Sequence, residues 1–166
     1  MTLRLTHLAR GFTLIELMIV MLFISIFSAV ALPNLIKQGG KAREVEFKNT
    51  VGTVNRAQQT YHWEQKVFAQ GDNDDASLEL LNVRFDHSYI DTYDIVAESD
   101  PIAYATIAPS NNNYQQDQTR AYSGLTLFEE GVYSTIMCQS LLVSETTSTP
   151  TLPPNPDCGS EAQRVR

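Results

Sequence analysis

Three residues near the N-terminus carry a pattern with chemistry in it: Gly11, Phe12 and Glu16, within "ARGFTLIELMIV". Glu16 is the only charge between Gly11 and Leu32, in a run that is otherwise almost entirely apolar. A carboxylate at the centre of a membrane helix costs about 2.5–3.5 kcal/mol on insertion scales, and less near an end, so it marks a function and needs a partner. The remaining candidates are weaker. His7, His62 and His87 are scattered and lack metal-ligand spacing. Asp86-His87-Ser88 are neighbours on an expected strand, where alternate side chains face opposite ways, so they do not form a triad. Asp72, Asn73, Asp74 and Asp75 invite calcium, but Ala76 stands at the third ligand position and the loop glycine is missing. No nucleotide-binding glycine motif or CxxC occurs. The chain reads as a non-enzyme with no catalytic residues, metal or cofactor.

The element that positions Glu16 is an apolar helix. Phe12 to Leu32 spans 21 residues, roughly 31 Å at about 1.5 Å per residue, which matches a bilayer core. Arg4 and Arg10 precede it; Pro33, Lys37, Lys41 and Arg43 follow. Three readings fit this hydropathy. A secretory signal peptide would be cut after Ala29-Val30-Ala31 and release a soluble binding protein from Leu32. A plain signal anchor would keep everything. Both leave Glu16 without a role. The third reading, in which cleavage precedes the apolar run and Glu16 gains a role, is the one implied by the family resemblance of this stretch given below.

The chain has 166 residues and a net charge of −7. Arg4 and Arg10 are the only charges in the first eleven residues, so removing them from −7 leaves −9 on the remainder. An acidic body of this kind argues against broad phosphate-backbone binding. Cys138 and Cys158 are the two cysteines. In an exported protein the simplest reading is one disulfide closing a C-terminal loop; in a cytosolic one they are unrelated thiols.

Beyond Pro33, Phe47, Val51, Val54, Ala57 and Tyr61 recur at helical steps, so one helix is expected from Phe12 to about Lys66. Pro33 and Gly39-Gly40 should kink or locally melt it. A connecting loop over 67–77 follows. Leu78 to Phe85 is open between strand and helical turn. Strands are expected over Tyr89–Ala97, Ile102–Ala108, Ala121–Phe128 and Val132–Gln139, with a hairpin at Gly131. Ser110–Gln118 reads as a polar loop, and the Ser/Thr/Pro-rich stretch after Val143 as an irregular one.

"GFTLIELMIV" resembles the class III leader junction of type IV prepilins, and the order of elements resembles the type IV pilin layout. Val51–Ala69 and the segments around Tyr122 and Cys138 are similar to the major pilins of cyanobacteria. The resemblance implies an α+β fold, in which a long N-terminal helix packs on an antiparallel head with a disulfide-bounded C-terminal loop. It implies a leader over 1–11, a transmembrane and assembly helix over 12–33 and a head over 34–166. That head divides into helix to 66, sheet over 78–139 and loop over 140–166. It further implies cleavage between Gly11 and Phe12, N-methylation of Phe12, Glu16 as its charge partner in assembly, and a Cys138–Cys158 disulfide. The implied partners are identical subunits, minor pilins, prepilin peptidase, an inner-membrane platform with its ATPases, and membrane lipid before assembly. The precursor would sit in the inner membrane with its head outside the cytoplasm, and the product in an extracellular filament. Twitching motility, adhesion and DNA uptake are the implied roles. A pseudopilin of a type II secretion system shares the leader, Glu16 and the helix.

Overall fold

A computed structural model of the chain describes residues 11–85, 88–99, 102–147, 149–151 and 156–165, without the side chains of 30, 32–34, 36 and 37. The leader before Gly11, with His7, and the Asp86-His87 pair lie outside the described residues. The chain separates into two compact units, Met1–Lys37 and Gln38–Arg166.

Helix α1 spans Leu14–Gln65, and its assignment continues through Pro33, Gly39 and Gly40. In the first unit every residue from Gly11 to Ala29 is exposed, Phe12 and Leu14 by 76% and 80%. Among the described residues no helix is long and apolar enough to cross a membrane. The expected span Phe12–Leu32 includes Val30 and Leu32, whose side chains are not described.

The second unit is an antiparallel meander. Strands β1 (Thr92–Glu98), β2 (Ala103–Ser110), β3 (Tyr122–Glu129), β4 (Val132–Ser140) and β5 (Ala162–Arg164) lie side by side in chain order. The hairpin falls at Gly131 as expected. Glu129 pairs with Val132, leaving the two-residue loop Glu130-Gly131 with φ of 49° and 83°. Two successive left-handed residues match the twist of a tight hairpin, and glycine takes the second without cost.

The apolar stripe of α1 packs on this sheet. Phe47, Val51 and Val54 are buried with Ile95, Ile107 and Tyr122, and Ala57 and Tyr61 pack against the cluster. The helix approaches β3 so closely that a Cβ on Gly124 would stand 2.5 Å from a Val51 methyl carbon. A second cluster holds Tyr104, Leu125, Leu127, Ile136, Ala162 and the disulfide. Strand β3 is therefore buried along nearly its whole length, through Leu127.

Several boundaries differ from the sequence expectation. The connecting loop runs into helix α2 (Asp74–Leu80). Asn73 caps it, its Oδ1 accepting from the Ala76 N–H at 2.8 Å, and Asp74 and Asp75 sit in its first turn. Those are the preferred residues for a helix start, and Leu78 and Leu81 bury its inner face. The sheet therefore begins at Thr92, not at 78. The polar loop over 110–118 contains one turn of helix, α3 (Tyr114–Asp117). The C-terminal segment over 140–166 ends in β5, which pairs Arg164, Gln163 and Ala162 with Cys138, Gln139 and Ser140. Three residues are too few for an alternation to register in sequence.

The outer edge of β1 is closed by side chains. Ile95 N–H donates to Asp74 Oδ1 at 3.0 Å and Ala97 N–H to Gln70 Oε1 at 2.9 Å. Covering an edge in this way blocks unwanted strand pairing.

Candidate functional site

The start of α1 is built around Thr13. With Leu14 as the first helical residue, Thr13 occupies the N-cap and Glu16 the third helical position. Glu16 N–H donates to Thr13 Oγ1 at 3.4 Å, and Thr13 Oγ1 donates to Glu16 Oε2 at 3.4 Å. Threonine followed three residues on by glutamate is the capping-box pattern. An acid in a first helical turn also faces the positive end of the helix dipole. Glu16 thus has a local reason to stand where it does, besides any partner from another chain. The "TLIE" spelling made this readable in the sequence, and the charge-partner reading alone overlooked it.

Gly11 has no packing reason to be glycine. A Cβ there would meet nothing within 4 Å. Phe12 is exposed. Gly11, Phe12 and Glu16 therefore lie together on an open segment, in which Glu16 has a capping role and Gly11 has no close packing contact.

In the head, helix α1 carries polar residues on its buried face, and each is matched. Glu44 accepts from the Arg120 N–H at 3.0 Å and from the Tyr122 hydroxyl at 3.1 Å. Burial, then the charge of Glu44 and its hydrogen bond, push the Tyr122 phenol well above its ordinary range. Arg43 donates to Asp117, both to its carbonyl and to Oδ1, at 3.0 Å. Gly40 makes this corner possible: a Cβ there would lie 2.3 Å from the Gln118 carbonyl oxygen. Gly40 is thus a close-approach residue, a role that the expectation of a kink at Gly39-Gly40 did not include. Further along, Gln58 donates to the Ala69 carbonyl and accepts from its N–H, both at 2.9 Å, which ties the chain after the helix back onto it.

Near the end of α1, the His62 ring packs against Phe68 and Phe128, with both centroids at 4.5 Å. Tyr133 meets it edge-on at 86°, its hydroxyl 2.8 Å from His62 Nδ1. Burial, then the charge of Lys66, lower the imidazole pKa below its ordinary 6.5. Nothing in the spacing of the histidines marked His62, because its partners come from three other segments.

Cys138 on β4 is bonded to Cys158, with Cα atoms 5.4 Å apart at a sequence separation of 20. Both are buried. Beside this loop, Leu141, Leu142 and Val143 line a surface cleft of about 570 Å³ with Ser140, Ser144, Thr146 and Glu161. The Asp72–Asp75 stretch is used structurally, through the cap at Asn73 and the Asp74 bond to β1.

Comparison with known proteins follows the same division of the chain. The family described as type IV pilin-like G and H matches residues 44–161, and the prokaryotic N-terminal methylation motif matches residues 7–32. The type IV major pilin protein PilA of Myxococcus xanthus (strain DK1622) is 38% identical over 65 residues, covering 39% of this chain. The match spans only 30% of that relative's length. No solved structure matches. An apolar helix with a methylation motif at its start, running into a disulfide-bearing antiparallel head, places the chain in the type IV pilin family, to which it belongs.

Proposed function

We propose that this chain is the structural subunit of a type IV pilus and works by assembly rather than catalysis. The precursor inserts in the inner membrane through the Phe12–Leu32 segment, with its head outside the cytoplasm. Prepilin peptidase cuts between Gly11 and Phe12, and the new amine is methylated. Helices then leave lipid for a bundle of identical subunits, driven by the platform and its ATPases, with minor pilins completing the filament. Pro33 bends the helix where it leaves the apolar segment. The observation that carries this reading is the open apolar helix whose single charge stands four residues beyond Phe12. Exposed from Gly11 to Ala29, that surface needs lipid or other helices to cover it.

Glu16 neutralises the Phe12 amine, its own or a neighbour's, during packing. Because the capping box accepts glutamine as well as glutamate, Glu16→Gln separates the two roles. The charge reading expects Glu16→Gln to insert and be processed but to yield few sheared surface filaments. Filaments at the normal level from Glu16→Gln would leave Glu16 as a cap only. Twitching motility, adhesion and DNA uptake are the cellular roles proposed for the filament.

A further inference from the structure

Seven tyrosines occur in the chain, and Tyr122, Tyr104 and Tyr133 each set the hydroxyl against a proton-accepting side chain. Tyr122 donates to Glu44, and Tyr104 to Glu98. Tyr133 has His62 Nδ1 at 2.8 Å. Removing an electron from a phenol makes its proton strongly acidic, so the easiest tyrosine to oxidise has a good base already in place. Imidazole, with an ordinary pKa of about 6.5, takes a proton more readily than a carboxyl at about 4.3. Tyr122 is also sealed in the core at 0% exposure and Tyr104 is buried at 7%, while Tyr133 is partly exposed beside the β3–β4 hairpin. The other two pairs are thus worse placed, both by burial and by the weaker base.

The setting around the imidazole suits the task. Phe68 and Phe128 both pack against it at 4.5 Å, and Phe128 also lies 4.7 Å from the Tyr133 ring. The imidazole is buried among these rings, at 4% exposure, which limits competing water. The Tyr133 ring stands edge-on to it with the hydroxyl 2.8 Å from Nδ1.

We propose that Tyr133 and His62 form a site for reversible one-electron oxidation of the head, with Tyr133 giving the electron and His62 Nδ1 taking the phenolic proton. The co-reactant is an outer-sphere one-electron oxidant arriving from solvent. One electron passes from the phenol to that oxidant, the O–H bond breaks, and the proton moves to Nδ1. The products are a neutral tyrosyl radical, an imidazolium and the reduced oxidant. Return of one electron from a reductant sends the proton back. The step requires a neutral ring with its own proton on Nε2. The groups that bear on it are Tyr133 from β4, Phe128 from β3, Phe68 from the segment after α1 and Lys66 from the end of α1. Of these, only Lys66 carries a charge, and it opposes protonation of the resting ring.

The test is oxidation of the full chain by hexachloroiridate(IV), read by freeze-quench electron paramagnetic resonance and by peptide mapping of modified tyrosines. The signal should sit on Tyr133, vanish in Tyr133→Phe, and weaken as pH falls and the imidazole protonates. His62→Phe keeps an aromatic ring in the cluster and should drop Tyr133 oxidation to the level of the other tyrosines. Should His62→Phe fail to fold, nitrogen NMR of the unaltered chain decides instead, since the proposal requires Nδ1 unprotonated. A proton on Nδ1, first oxidation at Tyr122 or Tyr104, or unchanged oxidation in folded His62→Phe would each overturn it.

Discussion

The segment from Gly11 to Lys37 and the head from Gln38 onward treat polar groups in opposite ways. In the head, the polar groups on the buried face of α1 find partners inside the chain. Glu44 has Tyr122 and a backbone N–H, Gln58 has both backbone groups of Ala69, and His62 has Tyr133. Among the described residues, no buried side-chain nitrogen or oxygen lacks a partner. The N-terminal segment instead leaves its apolar surface open from Gly11 to Ala29, and among the described residues its one carboxylate is met by Thr13, at 3.4 Å. The proposed function covers that open surface with lipid or with other subunits.

Substitutions can break this contrast from either side. The largest effect is expected at Glu16. Glu16→Ala should abolish or nearly abolish assembly, read as sheared filament yield, while precursor insertion and head stability stay as they were. Next is the disulfide. Replacing Cys138 and Cys158 by serine should cost the head about 3 kcal/mol in the chain-entropy model for a loop of this size, read by denaturant unfolding, with N-terminal processing unchanged. Gly40→Ala should then cost roughly 1–3 kcal/mol, since its Cβ meets a backbone carbonyl that cannot swing aside. Its neighbour sharpens the point. A Cβ on Gly39 meets nothing within 4 Å, so Gly39→Ala should stabilise the helix by about 0.5–1 kcal/mol.

The smallest effect is a pH dependence from His62. Its folded pKa lies below the unfolded 6.5, so the unfolded chain takes up the proton first as pH falls. Stability should be full above about pH 6.5 and decline through the folded pKa. His62→Phe should flatten that part of the curve in thermal melts taken across pH. An unchanged slope would show that His62 does not set it.

The alternation of β1 through β4, the hairpin at Gly131 and the long helix were legible because each repeats a period over seven or more residues. Helix α2 was missed for a different reason. Its cap and acidic first turn look like a solvated loop until Leu78 and Leu81 are seen to bury on its inner side. Strand β5 is too short to show a pattern and exists through pairing with β4. In the N-terminal segment nearly everything proposed was visible in Gly11, Phe12 and Glu16, because the chemistry there is written in adjacent residues. The Tyr133–His62 and Glu44–Tyr122 pairs join positions 71 and 78 residues apart, and no local pattern announces such a meeting.

Retention of the apolar run, with cleavage before it, is decided by intact mass and N-terminal sequencing of the mature protein. A chain that begins at N-methylated Phe12 is the expected result. A mature chain that begins at Leu32, or one that still carries Met1 to Gly11, would contradict it.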